Sequence, residues 1–376
     1  MDLSLTGEQE ALQHSVRSLC EDHFTTAMVR ACEDDAAQAA AIYDLLFAMG
    51  IGGIAIDEAA GGLSLGLTEL VVAQSELGRA LVPMLFTEST VMAARILANS
   101  GNDAAKALLA SLAAGQTFAS CAWQEDGRPA LDAPQAVAAS GQASSLVLNG
   151  TKTFVPEASR ADILLVHASD PTGVLLLCIV ERDARGISFT ELPNMADLSM
   201  ASVTFDNTPV MITAASGQEA IGAWEAGLTA MKIAIAAQAV GGAQRILEMT
   251  RDYACTRHQF GQPIGSFQSI AHYLADAAVN VEGARMLTYR AAAAADDGDP
   301  AATWADLAKM KATQVYRDVS ALGIQVHGGI GFTLEADPQL FYRRAKHLQL
   351  MYGEPLDLQE RAGAALIAGT HKVLEA

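Results

Sequence analysis

Apolar residues recur at helical spacing at the start of the chain: Leu12, Val16 and Leu19 follow Thr6, which with Gln9 makes a capping-box start. Residues 61–83 read GGLSLGLTELVVAQSELGRALVP, a glycine turn, an amphipathic helix and a proline stop. The pattern predicts an all-helical domain over residues 1–114. The period then changes to two, in the short runs SLVLNG, TKTFV, DILLVHA, VLLLCIV, ISFTEL and ASVTFD. Asn149-Gly150 predicts a two-residue hairpin turn between LVL and TKTFV. No helical pattern interrupts these runs, so residues 115–215 are expected to form an antiparallel β domain, as a small barrel or sandwich. Over residues 216–376 alanine-rich stretches restore the helical period, and three long helices with a shorter terminal one predict a four-helix-bundle domain. Gly241-Gly242 inside the first of them would weaken an isolated helix, so a close helix approach is expected there.

Composition narrows the function. A chain of 376 residues, 51% of them hydrophobic, supplies the cores of two or three domains. Its 24 Lys+Arg against 43 Asp+Glu give a formal charge of −19, which repels phosphate backbones and anionic lipid, so neither nucleic acid nor membrane is an expected partner. The start MDLSLTGEQE lacks the basic and apolar regions of a signal peptide, and VLLLCIV is too short to span a bilayer. The expectation is a soluble cytoplasmic protein. Cys20, Cys32, Cys121, Cys178 and Cys255 are scattered and never spaced CxxC, so they read as reduced, mostly buried thiols.

Two tempting motifs fail. Gly62-Leu63-Ser64-Leu65-Gly66 fits the GxSxG nucleophile elbow, but the AIDEAAG before it is no strand, and a helix-entry turn explains it better. The histidines include no HExxH and no metal-spaced pair, so no metal site is expected. His327, in QVHGGIG, reads as a packing residue that hydrogen-bonds locally.

Polar residues gather at two helix junctions, RHQFGQPIGSFQ (257–268) and QVHGGIGFTLEADPQLFYRRAK (325–346). Arg257 can pair bidentately with a pyrophosphate, Gln268 and Gln325 can hydrogen-bond a nucleotide, and Gly328-Gly329 lets a backbone approach phosphate closely. Phe260 and Phe267 offer apolar faces for a ring. The plainer reading is that Arg257 caps a helix C-terminus, the glutamines are solvated, and Gly261, Pro263 and the glycine pair shape turns. Either stretch alone favours that plainer reading; their occurrence together favours a ligand.

Arg257-His258-Gln259-Phe260-Gly261-Gln262-Pro263-Ile264, followed by Phe267-Gln268, resembles the RxxFGxP…FQ signature of acyl-CoA dehydrogenases. Gln325-Val326-His327-Gly328-Gly329-Ile330-Gly331-Phe332 resembles their QxxGGxG[FY] signature. The resemblance spans the whole chain and implies an α+β fold: an N-terminal all-helical domain, a middle antiparallel β domain and a C-terminal helical bundle. It implies that Arg257, Gln259, Phe260, Phe267 and Gln268 contact FAD, and that Gln325, Val326, Gly328 and Gly329 hold its diphosphate across a subunit interface. It further implies conversion of an acyl-CoA to a trans-2-enoyl-CoA, an electron-transfer flavoprotein as electron acceptor, and an assembly of at least two chains, usually a tetramer.

The chain departs from that family where its chemistry needs a base. Family members carry a glutamate that removes the α-proton, and AKHLQLMYGEP places Tyr352 at its usual position. The alternative position, on the first bundle helix, holds Met231, and Glu354 is a weak candidate two residues beyond Tyr352. In the β domain Phe154-Val155-Pro156 replaces a WIT-like stretch: Phe154 can still cover a ring, while Pro156 offers neither N–H nor hydroxyl. Gln124 stands in for the family's other flavin-facing threonine. These departures resemble those of subunits that pair with a second acyl-CoA dehydrogenase chain in heterotetramers acting on steroid or other bulky acyl-CoA esters. Three readings follow: an active dehydrogenase, a catalytically silent partner subunit, and a flavin monooxygenase on the same fold, the last with no sequence feature in its favour.

Overall fold

The computed structural model describes residues 4–126, 137–140 and 145–369. Helices occupy the first part: α1 (Gly7–His23), α2 (Thr26–Asp34), α3 (Ala40–Ala48), α4 (Leu67–Ala80), α5 (Leu85–Thr87), a π-helical turn (Glu88–Ala93), α6 (Ala94–Ala98), α7 (Asp103–Lys106) and α8 (Leu108–Ala113). Strands follow: β1 (Ala119–Ala122), β2 (Ala138–Ser140), β3 (Val147–Pro156), β4 (Ile163–Ser169), β5 (Leu175–Glu181), β6 (Ile187–Glu191), β7 (Met200–Pro209) and β8 (Ile212–Ser216). The remainder is α9 (Gly217–Thr256), a hairpin of β9 (His258–Gln259) and β10 (Gln262–Pro263), α10 (Gln268–Asp296), α11 (Ala302–His327), α12 (Pro338–Leu350) and α13 (Pro355–Ile367). The capping box at Thr6 forms as its spacing predicts, each side chain bonding the other's backbone N–H.

Contacts divide the chain into two compact units, one of Met1–Arg30, Gly66–Val82 and Lys232–Ala376, the other of Ala31–Leu65 and Pro83–Met231. In the first, α4 packs with the long C-terminal helices. A Cβ on Gly241 would sit 1.8 Å from the Ser75 carbonyl oxygen, and one on Gly242 would strike the Tyr316 ring at 2.4 Å. The glycine pair therefore sits where α4 and a buried tyrosine press on the α9 backbone, the close approach expected of it, and α9 runs through unbroken. Asp296, the last residue of α10, caps the start of α4 through the N–H groups of Leu67 (2.6 Å) and Thr68 (2.9 Å). The expected four helices are five, because α12 and α13 both follow α11, separated by the turn that carries Tyr352.

The second unit is built on an eight-stranded sheet ordered β6-β7-β3-β2-β4-β5-β8, with β1 also paired to β4. Two expectations are corrected. The sheet is not wholly antiparallel, since β1 and β2 both run parallel to β4. Asn149-Gly150 makes no hairpin: β3 continues through it, and the register slips between Leu148 and Gly150 as a bulge against β7. Gly150 takes φ 129°, which suits glycine, and the Asn149 side-chain oxygen accepts from the Asn207 N–H at 2.9 Å, so the pair's turn chemistry serves a bulge. Ser64, with φ 49°, lies in an exposed turn before α4, and its hydroxyl accepts from the Glu58 N–H at 2.8 Å, as a helix-entry turn requires and a nucleophile elbow does not. Cys20, Cys32, Cys121 and Cys178 are buried and form no disulfide among the described residues, and Cys255 is exposed.

Among the described residues one helix, Gly217–Thr256, is long and apolar enough to cross a membrane, and 89% of its most apolar window is buried inside the protein. Its hydrophobicity is that of a core helix.

Candidate functional site

Where α9 ends, the Arg257 N–H donates to the Tyr253 carbonyl at 2.8 Å, and the chain turns into the β9–β10 hairpin. Phe260 and Gly261 are its two central residues, with φ 52° and 81°. Left-handed φ at both positions is the mark of a type I′ turn, whose twist matches the paired strands. Gly261 adopts it freely; Phe260 is strained there, and its side chain is 91% exposed. Its ring stands edge-on to Phe267, with centroids 6.2 Å apart. The Ile264 N–H closes the hairpin on the Arg257 carbonyl at 2.8 Å, and α10 then starts at Gln268. Arg257, Gln259 and Gln268 are exposed, and among the described residues no carboxylate pairs with Arg257.

The second stretch ends α11. Gly328 takes φ 67° and ψ −142°, a conformation reserved for glycine. A Cβ on Gly331 would lie 2.6 Å from the Ile324 carbonyl oxygen, so close packing demands that glycine. Gly329 differs: its φ is not left-handed and a Cβ there would meet nothing within 4 Å. Among the described residues, nothing in this chain's own packing demands a glycine at 329.

The fold brings these stretches together. His327 stacks on Tyr253, one turn before Arg257, with ring centroids 4.2 Å apart, and its Nδ1 lies 2.7 Å from the Gly323 carbonyl oxygen. The histidine is thus the locally bonded packing residue the sequence suggests. Gln325 and Val326 line a cavity of about 470 Å³ with Ser269, Ile270 and Tyr273 from the first turns of α10. Arg257, Phe260, Gln268, Gln325 and Gly329 therefore belong to one region of the first unit.

The positions where a base is expected are occupied by buried side chains. Tyr352 is 1% exposed with φ 59°, and Met231 is fully buried on α9. Glu354 is exposed at the N-cap of α13, where its side chain makes no capping bond. The turn carrying Tyr352 is held by Lys309 from α11, whose buried Nζ donates to the carbonyl oxygens of Gln349 (2.9 Å) and Gly353. Burial, and then the neighbouring Lys232, pull the Lys309 amine down to about 7, against the opposing pull of Glu354, Asp306 and Asp357. Lys232 pairs with Asp306 at 2.5 Å, and Arg361 reaches the other Asp306 oxygen at 3.2 Å. His347 on α12, also buried, is pulled down to about 3 by desolvation and then by Arg344 and Lys309. Sequence reasoning missed this set, because a lysine in DLAKMKA looks like one on a solvated helix face.

Gln124 and Phe154 lie in the second unit, where the Thr153 N–H donates to the Gln124 carbonyl at 2.9 Å. Phe154 (φ 51°) and Glu157 (φ 53°) both hold left-handed backbone, on either side of Val155 and the buried Pro156. Nearby, Lys152 and Glu125 form a buried ion pair at 2.7 Å, with Lys152 also donating to the Trp123 carbonyl. His167 stacks on Trp224 at 4.6 Å and is drawn down to about 3, first by burial and then by Lys152.

Three family profiles match the chain: acyl-CoA dehydrogenase, N-terminal domain, over residues 6–116; middle domain, over 124–208; and C-terminal domain, over 221–355. Among characterised proteins, the acyl-CoA dehydrogenase IpdE2 of Mycobacterium tuberculosis is 30% identical, with 94% of this chain and 96% of that protein covered. The butyryl-CoA dehydrogenase of Megasphaera elsdenii superposes with a TM-score of 0.90 at 26% identity, over 98% of this chain and 100% of that one. A chain of the ChsE4-ChsE5 complex of Mycobacterium tuberculosis superposes with a TM-score of 0.88 at 26% identity, over 98% and 99%.

Proposed function

This chain belongs to the acyl-CoA dehydrogenase family, and from that premise we propose that it takes part in the FAD-dependent α,β-dehydrogenation of an acyl-CoA thioester to a trans-2-enoyl-CoA, with electrons passing to an electron-transfer flavoprotein. The observation that carries the assignment of the site is the joining of the RHQFGQP hairpin to the QVHGG turn by the Tyr253–His327 stack. FAD bound there supplies the two-electron acceptor. Arg257 offers the diphosphate an exposed guanidinium that is unpaired among the described residues, and Gln268 and Gln325 offer amides. Gly329 leaves room for close approach, and Phe260 presents an aromatic face that the fold holds in solvent at a cost in backbone strain. Phe154 and Gln124 are proposed to face a flavin from the β domain, and the Gln325, Val326, Gly328 and Gly329 stretch to hold a flavin's diphosphate across a subunit interface. The domain limits that go with it are 1–114, 115–215 and 216–376, and the protein works in the cytoplasm.

The direct test is anaerobic titration of the purified flavoprotein with acyl-CoA thioesters. Bleaching of the flavin by a short, branched or steroid thioester is the expected result; a flavin that stays oxidised with all of them would sink the reading.

A second reading, a catalytically silent subunit of a heteromeric dehydrogenase, is favoured by the absence of a carboxylate at both base positions, where Tyr352 and Met231 are buried. Its similarity to a chain of the ChsE4-ChsE5 complex points the same way. Flavin content per chain separates the two: about one flavin on every chain of the protein purified alone excludes the silent role, whereas a colourless protein that gains flavin only beside a second dehydrogenase chain supports it.

A further inference from the structure

A cavity of about 260 Å³ lies in the first unit between α1, α4, α9 and α12, and it shares no residue with the cavity at Gln325 and Val326. That is many times the room one water needs. Phe24, Phe341 and Cys20 are buried and give the cavity an apolar side. Burial, and then Glu76 and Glu21, push the Cys20 thiol up to about 12, so it stays a neutral part of that side.

The rest of the wall is charged, and its charges are unevenly matched. Arg17 on α1 donates through Nε and Nη2 to both oxygens of Glu76 on α4, at 2.9 and 2.7 Å. That pairing leaves Glu21, one turn beyond Arg17, as an exposed carboxylate with no hydrogen bond among the described residues. Between α4 and α9 the imbalance is reversed. Arg79 donates to Glu248 at 2.5 Å, whereas Arg245 lies 4.0 Å from the same carboxylate, too far for a hydrogen bond. Two guanidiniums thus share one carboxylate, and the Arg245 side chain, 43% exposed, has no hydrogen bond among the described residues. Asp337, the other acid of the wall, is met by Arg30 at 2.8 Å and by the Thr26 hydroxyl at 3.1 Å. No ion pair joins Arg245 to Glu21, although both line the cavity. One cavity therefore offers an unmatched guanidinium, an unmatched carboxylate and an apolar surface.

We propose that this cavity binds a free α-amino acid with an apolar side chain: its carboxylate pairs with Arg245, its ammonium pairs with Glu21, and its side chain packs on Phe24, Phe341 and Cys20. A planar carboxylate suits the guanidinium fork. A plain anion would answer Arg245 alone and be repelled by Glu21, so the site selects a ligand carrying both charges. By bridging α1 and α9 the ligand stabilises the folded first unit as its concentration rises. The site uses neither flavin nor thioester, so it stands independently of the dehydrogenase reading.

The test is isothermal titration calorimetry and thermal melting of the purified full chain with L-valine, L-leucine, L-methionine and L-phenylalanine. Each is compared with its counterpart lacking the amino group, its counterpart lacking the carboxylate, and inorganic phosphate. At least one amino acid should bind saturably, raise the melting temperature and bind about tenfold or more tightly than either counterpart, since each counterpart drops a charge-assisted hydrogen bond. Arg245→Met should weaken that amino acid about tenfold, and Glu21→Gln should remove its advantage over the counterpart without the amino group. If either variant does not fold, the ligand comparison on the wild type decides. The proposal is overturned by the absence of saturable binding with all four amino acids, by equal affinity for an amino acid and its counterparts, or by binding that both substitutions leave intact. Phosphate that binds as tightly as the best amino acid and is lost in Arg245→Met overturns it in favour of a simple anion site.

Discussion

Lys309, buried in α11, donates to the carbonyl oxygen of Gly353, the residue immediately after Tyr352. Its second bond, to the Gln349 carbonyl at 2.9 Å, satisfies an acceptor in the last turn of α12. One amine therefore fixes both ends of the turn that carries Tyr352.

Replacing Lys309 by methionine keeps the volume and leaves both carbonyls unmet, so the variant should lose about 2–5 kcal/mol in denaturant unfolding. The difference depends on pH. The folded amine titrates at about 7 against 10.5 when unfolded, so its favourable contribution is fully present above pH 10.5 and is lost as pH falls through about 7. The wild type should thus gain on Lys309→Met as pH rises between those values, and a constant difference would contradict the assignment.

Gly328 and Gly329 should respond differently to alanine. Gly328→Ala forces a side chain into a glycine-only conformation and should cost about 1–3 kcal/mol of folding stability. Gly329→Ala adds a Cβ that meets nothing in this chain, so the melting temperature of the apoprotein should hold while FAD affinity falls. If FAD binds Gly329→Ala as it binds the wild type, the glycine does not serve the cofactor.

Arg257 is exposed and has no carboxylate partner among the described residues, so Arg257→Ala should leave apoprotein stability within about 0.5 kcal/mol. Loss of a charge-assisted bond to the diphosphate, about 1.5–3 kcal/mol, should weaken FAD binding about ten- to hundredfold by equilibrium dialysis. Full flavin content in this variant would refute the site.

The buried titratable groups set opposite limits on pH stability. His167 and His347 are lowered from 6.5 to about 3, so their contribution is complete above pH 6.5 and is lost as pH falls towards 3. His347→Leu should flatten that acid limb. Glu88 is raised well above 4.5, so its contribution is present below that value and is lost as pH rises through its folded pKa. Glu88→Gln should therefore stabilise the protein increasingly towards alkaline pH, read from melting temperatures across a pH series.

Tyr352→Glu restores a carboxylate on the turn that Lys309 fixes. Anaerobic flavin bleaching by a thioester should appear or accelerate in this variant, and an unchanged rate would show that the missing base is not what limits this chain.

The sequence by itself determined what depends on neighbours along the chain. Helical and two-residue periods placed the helices and most strands, the Thr6 and Gln9 pair placed the first cap, and the RHQFGQP and QVHGG stretches marked the candidate cofactor residues, because each signal is local chemistry. Tertiary structure decided the rest. Asn149-Gly150 became a bulge because pairing with β7 continued on both sides of it, and β1 took a parallel place beside β4 that a four-residue run cannot announce. Phe260-Gly261 became a type I′ hairpin turn that no flanking strand pattern signalled. Lys309, His347 and Glu88 are ordinary polar letters in helical stretches; burial and the groups packed against them, which come from distant parts of the chain, shift their protonation.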